Sequence, residues 1–422
     1  MSTLTISSTE INQKIAGRAD DVHAIVEMYY PALLPAFKAT LAVVCSMSLQ
    51  GRTLPLSVMF EGFSGYGKTA TLQSLLGDEL SWIIYRSDKF SPSSFVSHAT
   101  NVKRHELRDV DLLPKLQLKV LVTKELAPLF RGRDDTLTDT FSQLCTVLDG
   151  KGLTTDSGSH GQRGYKHKII FNWLGATTPV PAHTHELMYQ LGTRLLFFEI
   201  PAVEVLFDEL VDYASEDNTQ LAEDDVREIM ATFLSEFFAQ HAVNTIDPKA
   251  LRFPRHLIEQ LVHWAQLLAA GRRRIRREKE SNVFNVDTHS SRPIDADPPE
   301  SPRKIIQYFR TIAFGHALAQ GRYFVDESDL ALVEHIAISS IPSYLRPILR
   351  ALKTRAKIDS TEAAALSRST QDGNPTEGVS QPTARKYLLE FSILGLGTLE
   401  KGNGNEPDVL TRADKYSWLA EA

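Results

Sequence analysis

A chain of 422 residues, 42% hydrophobic and 23% charged, has the make-up of a globular protein able to bury more than one core. The formal net charge of −6 excludes a surface coated in basic groups but leaves room for a local basic groove. Two cysteines, Cys45 and Cys145, are too few for a disulfide framework or a thiolate metal site, and they read as buried thiols in a reducing cytoplasm.

The N-terminal Met1–Glu10 is polar and lacks the basic-then-apolar pattern of a leader. No apolar run is expected to reach the roughly 20 residues that span a bilayer, so a cytoplasmic protein without a membrane partner is expected. Residues 1–20, rich in Ser and Thr, are expected to be loosely ordered. From Asp21 to Ser48, apolar residues at helical spacing (Val22, Val26, Tyr29, Leu33, Phe37, Leu41) predict two helices broken by Pro31 and Pro35. Leu54–Phe60 reads as a short buried strand, and strand-like runs recur at Trp82–Tyr85, Leu118–Val122, Lys168–Leu174 and Leu195–Ile200. Helical stretches lie between them, an alternation that predicts an α/β fold with a mainly parallel sheet.

After about Val205 the pattern becomes all-helical, with helices expected over 206–215, 221–240, 254–278, 303–319 and 327–339. Ser281–Ser301, polar and proline-bearing, reads as a long exposed loop. The boundaries that follow are an N-terminal helical segment (1–52), a core (53–205), an all-helical lid (206–345) and a last unit (346–422).

The segment Gly62-Phe63-Ser64-Gly65-Tyr66-Gly67-Lys68-Thr69 has glycine, four residues, glycine, lysine and threonine, with a strand before it and a helix starting near Ala70 behind it. That is the pattern of a phosphate-binding loop (P-loop): glycines let backbone N–H groups close on phosphate oxygens. Lys68 supplies a point charge, and the Thr69 hydroxyl suits Mg²⁺.

With this loop at the head, the order of parts over about residues 54–345 resembles the AAA+ ATPases, which implies ATP and Mg²⁺ as cofactors and an ATP hydrolase. The strand that should end in an acidic pair is Leu118-Lys-Val-Leu-Val-Thr-Lys-Glu125, where Lys124-Glu125 departs from the usual Asp-Glu. The resemblance makes Glu125 the water-activating base and, with Thr69, a metal residue. Alternatively, the altered pair leaves a site that binds and switches with little turnover. Lys168–Pro179 looks like the strand ending in a polar sensor, placing Thr178 at the outer phosphate with Thr177 the neighbouring choice. Arg194, in Leu191-Gly-Thr-Arg194, matches the place of an arginine that acts in trans. Arg303, in Ser301-Pro-Arg303, is similar to the second sensor of the MoxR and RuvB-like branches. An arginine in trans implies a homo-oligomeric ring, most often a hexamer.

Between Glu125 and Thr178, a glycine-rich stretch from Leu148 to Tyr165 reads as a β-hairpin. It looks like the pre-sensor hairpin of minichromosome-maintenance helicases. Its Lys151, His160, Arg163, Lys166, His167 and Lys168 make a locally basic region suited to nucleic-acid phosphates. A second basic cluster, Arg272–Arg277, is placed at a helix end, where it can serve either the helix dipole or nucleic acid. The C-terminal unit resembles a winged helix: Thr361–Leu366 is a first helix, Ser380 caps a second, and Leu399–Leu410 forms the wing. Gln381, Thr383, Arg385 and Lys386 stand where such a helix faces DNA.

The reading that results is an oligomeric AAA+ ATPase driving nucleic-acid translocation, unwinding or loading, of a kind that resembles ATP-binding proteins of mobile elements and antiviral defence loci. The alternatives are a MoxR-like remodeller of a protein partner and a slow ATP-gated DNA-binding regulator or scaffold.

Overall fold

The computed structural model describes residues 8–89, 91–97, 106–157, 161–190, 192, 194–202, 207, 211, 215, 219–279, 291–367, 369–371, 374–376, 378–403 and 406–420. Most of the helix expected over 206–215, His160 of the expected basic region, residues 281–290 of the expected loop, and Gly404 and Asn405 of the expected wing lie outside them. The chain packs as two compact units, one of Met1–Val180, Thr193–Leu261 and Ile306–Ile336, the other of Pro181–Gly192, Val262–Ile305 and Ala337–Ala422.

The first unit is built on five strands: β1 (Leu56–Glu61), β2 (Ile84–Arg86), β3 (Val120–Thr123), β6 (Asn172–Thr177) and β7 (Leu195–Glu199). All pairings are parallel, in the order β2-β3-β6-β1-β7, so the α/β fold with a parallel sheet stands. Every residue of β1, β3 and β6 is buried, the sign of a sheet covered on both faces. The strand expected from Lys168 starts only at Asn172, where pairing with Leu56 and Val120 begins. Between β3 and β6 a separate antiparallel hairpin, β4 (Leu153–Ser157) and β5 (Gly161–Tyr165), forms as expected.

Residues 8–20 are not loose: they belong to the helix Ser8–Tyr29. Ile15, Ala19, Val22 and Val26 recur at helical spacing and are buried. That helix packs on Thr219–Gln240, where Arg18 donates to Glu236 and the Tyr29 hydroxyl donates to Asp225. Pro35 sits in the first turn of the helix Leu34–Cys45 and does not break it. Pro31–Ser48, 18 residues, is long and apolar enough to cross a membrane, contrary to expectation. Here 72% of it is buried within the fold, as in the core helix of a globular protein. The helix Arg303–Ala319 crosses it closely, for a Cβ on Gly315 would stand 2.0 Å from the Ala42 carbonyl oxygen.

The second unit corrects the all-helical lid. The helix expected over 254–278 ends at Gly271, and the arginine-rich stretch continues into a strand, β8 (Ile275–Lys279), paired antiparallel with β9 (Ser291–Ala296). The expected loop is therefore partly strand. Ile275 and Ala296 are buried while Arg274 and Arg276 are exposed, and this alternation makes the stretch a half-buried strand. Further on come the helices Arg346–Thr354, Ser360–Leu366 and Gln381–Ile393. They join a two-stranded hairpin, β11 (Ser369–Gln371) with β12 (Asn374–Thr376), and a three-stranded antiparallel sheet of β10 (Lys357–Asp359), β13 (Gly397–Glu400) and β14 (Val409–Arg412), in the order β10-β14-β13. Asp359 caps the second of these helices in a capping box with Glu362, and Ser380 caps the third.

Two predictions follow from this packing. Gly315→Ala gains about 1 kcal/mol of helix propensity but drives a methyl into a backbone carbonyl, which costs about 1–3 kcal/mol. A net loss of stability in urea unfolding is expected. His185 is buried, and desolvation, helped by the Arg346 cation, lowers its pKa to about 3. The unfolded imidazole takes up a proton near pH 6.5 while the folded one does not, so His185 contributes stability above pH 6.5 that is lost as pH falls toward 3. Melting curves from pH 7 to 4 should show this decline, and it should be shallower in His185→Gln.

Candidate functional site

The carboxyl edge of the parallel sheet gathers most of the residues singled out from sequence. β1 ends at Glu61, and the next N–H, of Gly62, donates to the Thr177 carbonyl at the end of β6 (3.2 Å). The loop then turns through Gly65 (φ 88°) and Gly67 (φ 78°), left-handed conformations that favour glycine. A Cβ on Gly62 would lie 3.1 Å from the Ile200 carbonyl oxygen, and one on Gly67 would lie 2.2 Å from Leu33 Cδ1. The N–H groups of Ser64, Gly65, Tyr66 and Gly67 donate to no acceptor among the described residues. They form an exposed or half-exposed concavity of donors suited to an anion.

Lys68 lies within this concavity. Its Nζ donates to the Gly62 carbonyl (2.7 Å) and to the Phe63 carbonyl, so the loop closes on its own ammonium. Burial lowers the Lys68 pKa, and the nearby Glu125 charge opposes the shift. Lys68 opens the helix Lys68–Gln73, where Thr71 donates to the Gly67 carbonyl, while Thr69 is exposed and Ala70 half-buried. An entering phosphate would exchange two neutral carbonyls at Nζ for a charged acceptor, the stronger kind of hydrogen bond.

Glu125, two residues beyond β3, is exposed, and its Oε1 accepts from the Ala127 N–H (2.6 Å). Lys124, in the place of an acid, reaches Asp88 at the end of β2 (3.6 Å). Asp88 is held below the usual carboxylate range, first by the hydrogen bond from Arg86. Of the two threonines ending β6, Thr177 is buried and donates to the Thr178 carbonyl. The Thr178 hydroxyl is half-exposed and accepts from Arg131 Nη2 (3.0 Å). Sequence reading missed Asp88 and Arg131, whose relevance comes from contacts across 36 and 47 residues. The one local sign was Arg131-Gly-Arg133 directly after the Glu125 segment.

Beside the loop, Pro35, Lys38, Phe198, His316, Arg322 and His335 line a cavity of about 400 Å³. It adjoins β1 because its Phe198 pairs with Phe60, and its Pro35 lies two residues beyond Leu33, the residue against Gly67. His316 Nδ1 meets the buried Asp329 carboxylate (2.6 Å), which Arg322 also holds. Among the described residues, no cluster of three His, Cys, Asp or Glu side chains could hold a metal. A divalent cation would therefore depend on oxygens of a bound ligand with Thr69 and Glu125.

The remaining candidates of the first unit lie apart from this edge. Arg194 precedes β7, at the amino end of the sheet, and pairs with Asp149 (2.9 Å). Burial works to lower its pKa, but the hydrogen bond to Asp149 raises it overall. Arg163 donates to the Ser97 carbonyl (3.2 Å), while Lys166 and Lys168 are exposed. Arg303 is exposed at the first residue of its helix, in the second unit.

Within the second unit the Arg272–Arg277 cluster is largely neutralised. Arg272 pairs with Glu300, Arg276 with Asp295 and Asp297, and Arg277 with Glu186 and the buried Glu390. Arg273 donates to three backbone carbonyls. The cluster is a structural network that ties the β8–β9 hairpin to the helix Gln381–Ile393. On that helix Gln381 and Lys386 are exposed, Thr383 lies beside the Ser380 cap, and Arg385 donates to the Glu406 carbonyl.

Compared with known proteins, the chain matches no protein-family model and no curated protein.

The loop predicts different costs for its glycines. At Gly65 a Cβ meets nothing within 4 Å, so Gly65→Ala should cost only the left-handed strain, about 1 kcal/mol. Gly67→Ala adds the collision with Leu33 and should cost at least about 2 kcal/mol. Urea unfolding of both variants checks the ranking.

Proposed function

We propose that the chain is an oligomeric P-loop ATPase of the AAA+ kind that couples ATP hydrolysis to work on nucleic acid. The observation that carries this reading is the Gly62–Thr69 loop. Its free donors, two left-handed glycines and enclosed Lys68 sit at the carboxyl end of β1, with Glu125 and Thr178 at the ends of neighbouring strands. Ligands of open parallel sheets bind at this edge. In this reading the loop N–H groups and Lys68 hold the ATP phosphates, and the adjoining cavity near Phe198 and His335 receives the base. Thr69 and Glu125 hold Mg²⁺, which neutralises charge on the phosphates when bound. Glu125 takes the proton of the attacking water, and Thr178 with Arg131 faces the outer phosphate.

Arg194 lies at the opposite edge of the sheet, about 20 Å from the loop at roughly 3.3 Å per strand residue. It would therefore serve the loop of a neighbouring copy in a ring. The order helix, strand, helix, small hairpin (Ser369–Gln371 with Asn374–Thr376), helix and β-hairpin over 346–412 supports a winged-helix reading of the last unit, with the small hairpin an addition between its second and third helices. Lys386, Thr383 and Arg385, with Arg163, Lys166 and Lys168 of the hairpin region, are the proposed nucleic-acid residues.

A second reading, an ATP-gated regulator or scaffold with slow turnover, draws on Lys124, whose partner is Asp88 in a position where an acid would ordinarily face the metal.

ATP turnover by the purified full-length chain tests both. Lys68→Ala should lose ATP binding, and Glu125→Gln should retain ATP with turnover reduced at least about 100-fold. Single-stranded or duplex DNA should raise turnover of the wild type. Binding without turnover in the wild type favours the gated regulator, and no ATP retention in the presence of Mg²⁺ overturns both readings.

A further inference from the structure

At the amino edge of the sheet, opposite the loop, lies a second cavity of about 250 Å³. Its polar wall is Arg52, Gln117 and Lys168, and its apolar wall includes Met47, Leu118 and Ile170. Arg52, Leu118 and Ile170 lead into β1, β3 and β6, so the cavity is held by the starts of three adjacent parallel strands.

Three observations set this cavity apart. First, Arg52 has no carboxylate partner among the described residues. Its nitrogens donate to the Met47 sulfur, the Leu54 carbonyl and the Asn172 side-chain oxygen, all neutral, and its buried Nε–H has no acceptor. Burial alone acts on the guanidinium and lowers its pKa to about 10. Arg52 is half-buried with its Nε fully covered, and a cation drawn partly out of water without a counter-charge is costly. Second, Lys168 brings another ammonium to the same wall, again with no acid among the lining residues. Third, Leu118 (φ 57°) and Asn244 (φ 60°) are the non-glycine residues in the left-handed region among the described residues, and both line this cavity. Backbone strain of this kind, about 1–3 kcal/mol per residue, concentrates where a ligand is held.

We infer that this cavity is a second anion site, whose ligand is a phosphate monoester. A carboxylate would balance only one of the two cations, whereas a phosphate dianion balances both and offers oxygens to the guanidinium, the ammonium and the Gln117 amide. The apolar wall receives the body that carries the phosphate. Two sources share this chemistry, a small phosphorylated metabolite and the terminal phosphate of a nucleic-acid strand. The site is independent of the Gly62–Thr69 loop, since it lies at the other edge, but it shares Lys168 with the proposed nucleic-acid residues, and Arg52 is the cation that belongs to the cavity alone.

The test is calorimetric titration of full-length protein carrying Lys68→Ala, which removes the loop's cation. The probes are inorganic phosphate, phenyl phosphate, and a short oligonucleotide with and without a 5′ phosphate. Saturable binding of phenyl phosphate, tighter than inorganic phosphate and weakened at least tenfold by Lys168→Ala with an unchanged melting temperature, is expected. Arg52→Lys retains a cation and should bind more weakly than the parent, while Arg52→Gln should abolish binding. Preference for the phosphorylated oligonucleotide over its unphosphorylated form assigns the strand end, and preference for phenyl phosphate over both assigns a small metabolite. Absence of saturable binding, or binding unchanged by Lys168→Ala and by both Arg52 variants, overturns the site.

Discussion

The register of β1 between its two neighbours is the constraint on which the carboxyl edge depends. Glu61 pairs with Thr177 on one side and Glu199 on the other, so three strands end level. The hydrogen bond from Gly62 to Thr177 extends that register one residue into the loop. A slip of a single residue would turn every side chain of the strand to the opposite face. It would also part the loop from Thr178. Because β6 is inserted between β1 and β3, Glu125 comes within electrostatic range of Lys68 although β3 does not touch β1. The site is thus a product of strand order as much as of the residues themselves.

Charge is handled in two ways in this protein. In the second unit, the cations of Arg272–Arg277 find acids within the fold. Glu390, 1% exposed, is held by Arg277, and removing the arginine would leave a buried carboxylate at a cost of about 3–5 kcal/mol, whereas Arg277 without Glu390 would keep Glu186. A net charge of −6 therefore hides an arginine cluster that is spent on structure. Arg52 and Lys168 are treated differently, for among the described residues no acid pairs with either. A basic run in a sequence is consequently a weaker sign of an anion site than a solitary arginine placed where nothing neutralises it.

Much of the first unit was legible in the sequence. The five strands announce themselves because both faces of the sheet are covered, which leaves unbroken apolar runs such as Val120-Leu-Val122. The loop was legible because its glycine spacing reports a local backbone requirement. What escaped depended on distant partners. The Arg274–Lys279 stretch reads as a helix end until β9 is known to lie beside it. The helix at Ser8–Asp20 hid behind a polar composition, although Ile15 and Ala19 carry its buried stripe. Asp88 and Arg131 carry no motif, and only the strand order brings them to Lys124 and Thr178.

Arg194 poses the remaining problem of geometry. It is satisfied within its own chain by Asp149, yet that carboxylate is partly exposed, with 34% of its side chain accessible. Only 12% of the Arg194 side chain is accessible, so the pair is sheltered more than an open surface pair of about 0–1 kcal/mol, while a guanidinium meeting phosphate oxygens in a dry interface makes bidentate bonds. Under the proposed ring assembly, a neighbouring copy's phosphate would have to displace Asp149 from this guanidinium, an exchange favoured only where the new contact is bidentate and dry. Asp149 keeps Arg194 oriented and charged within its own chain, and in the proposed assembly it is the contact that a partner's phosphate would have to replace.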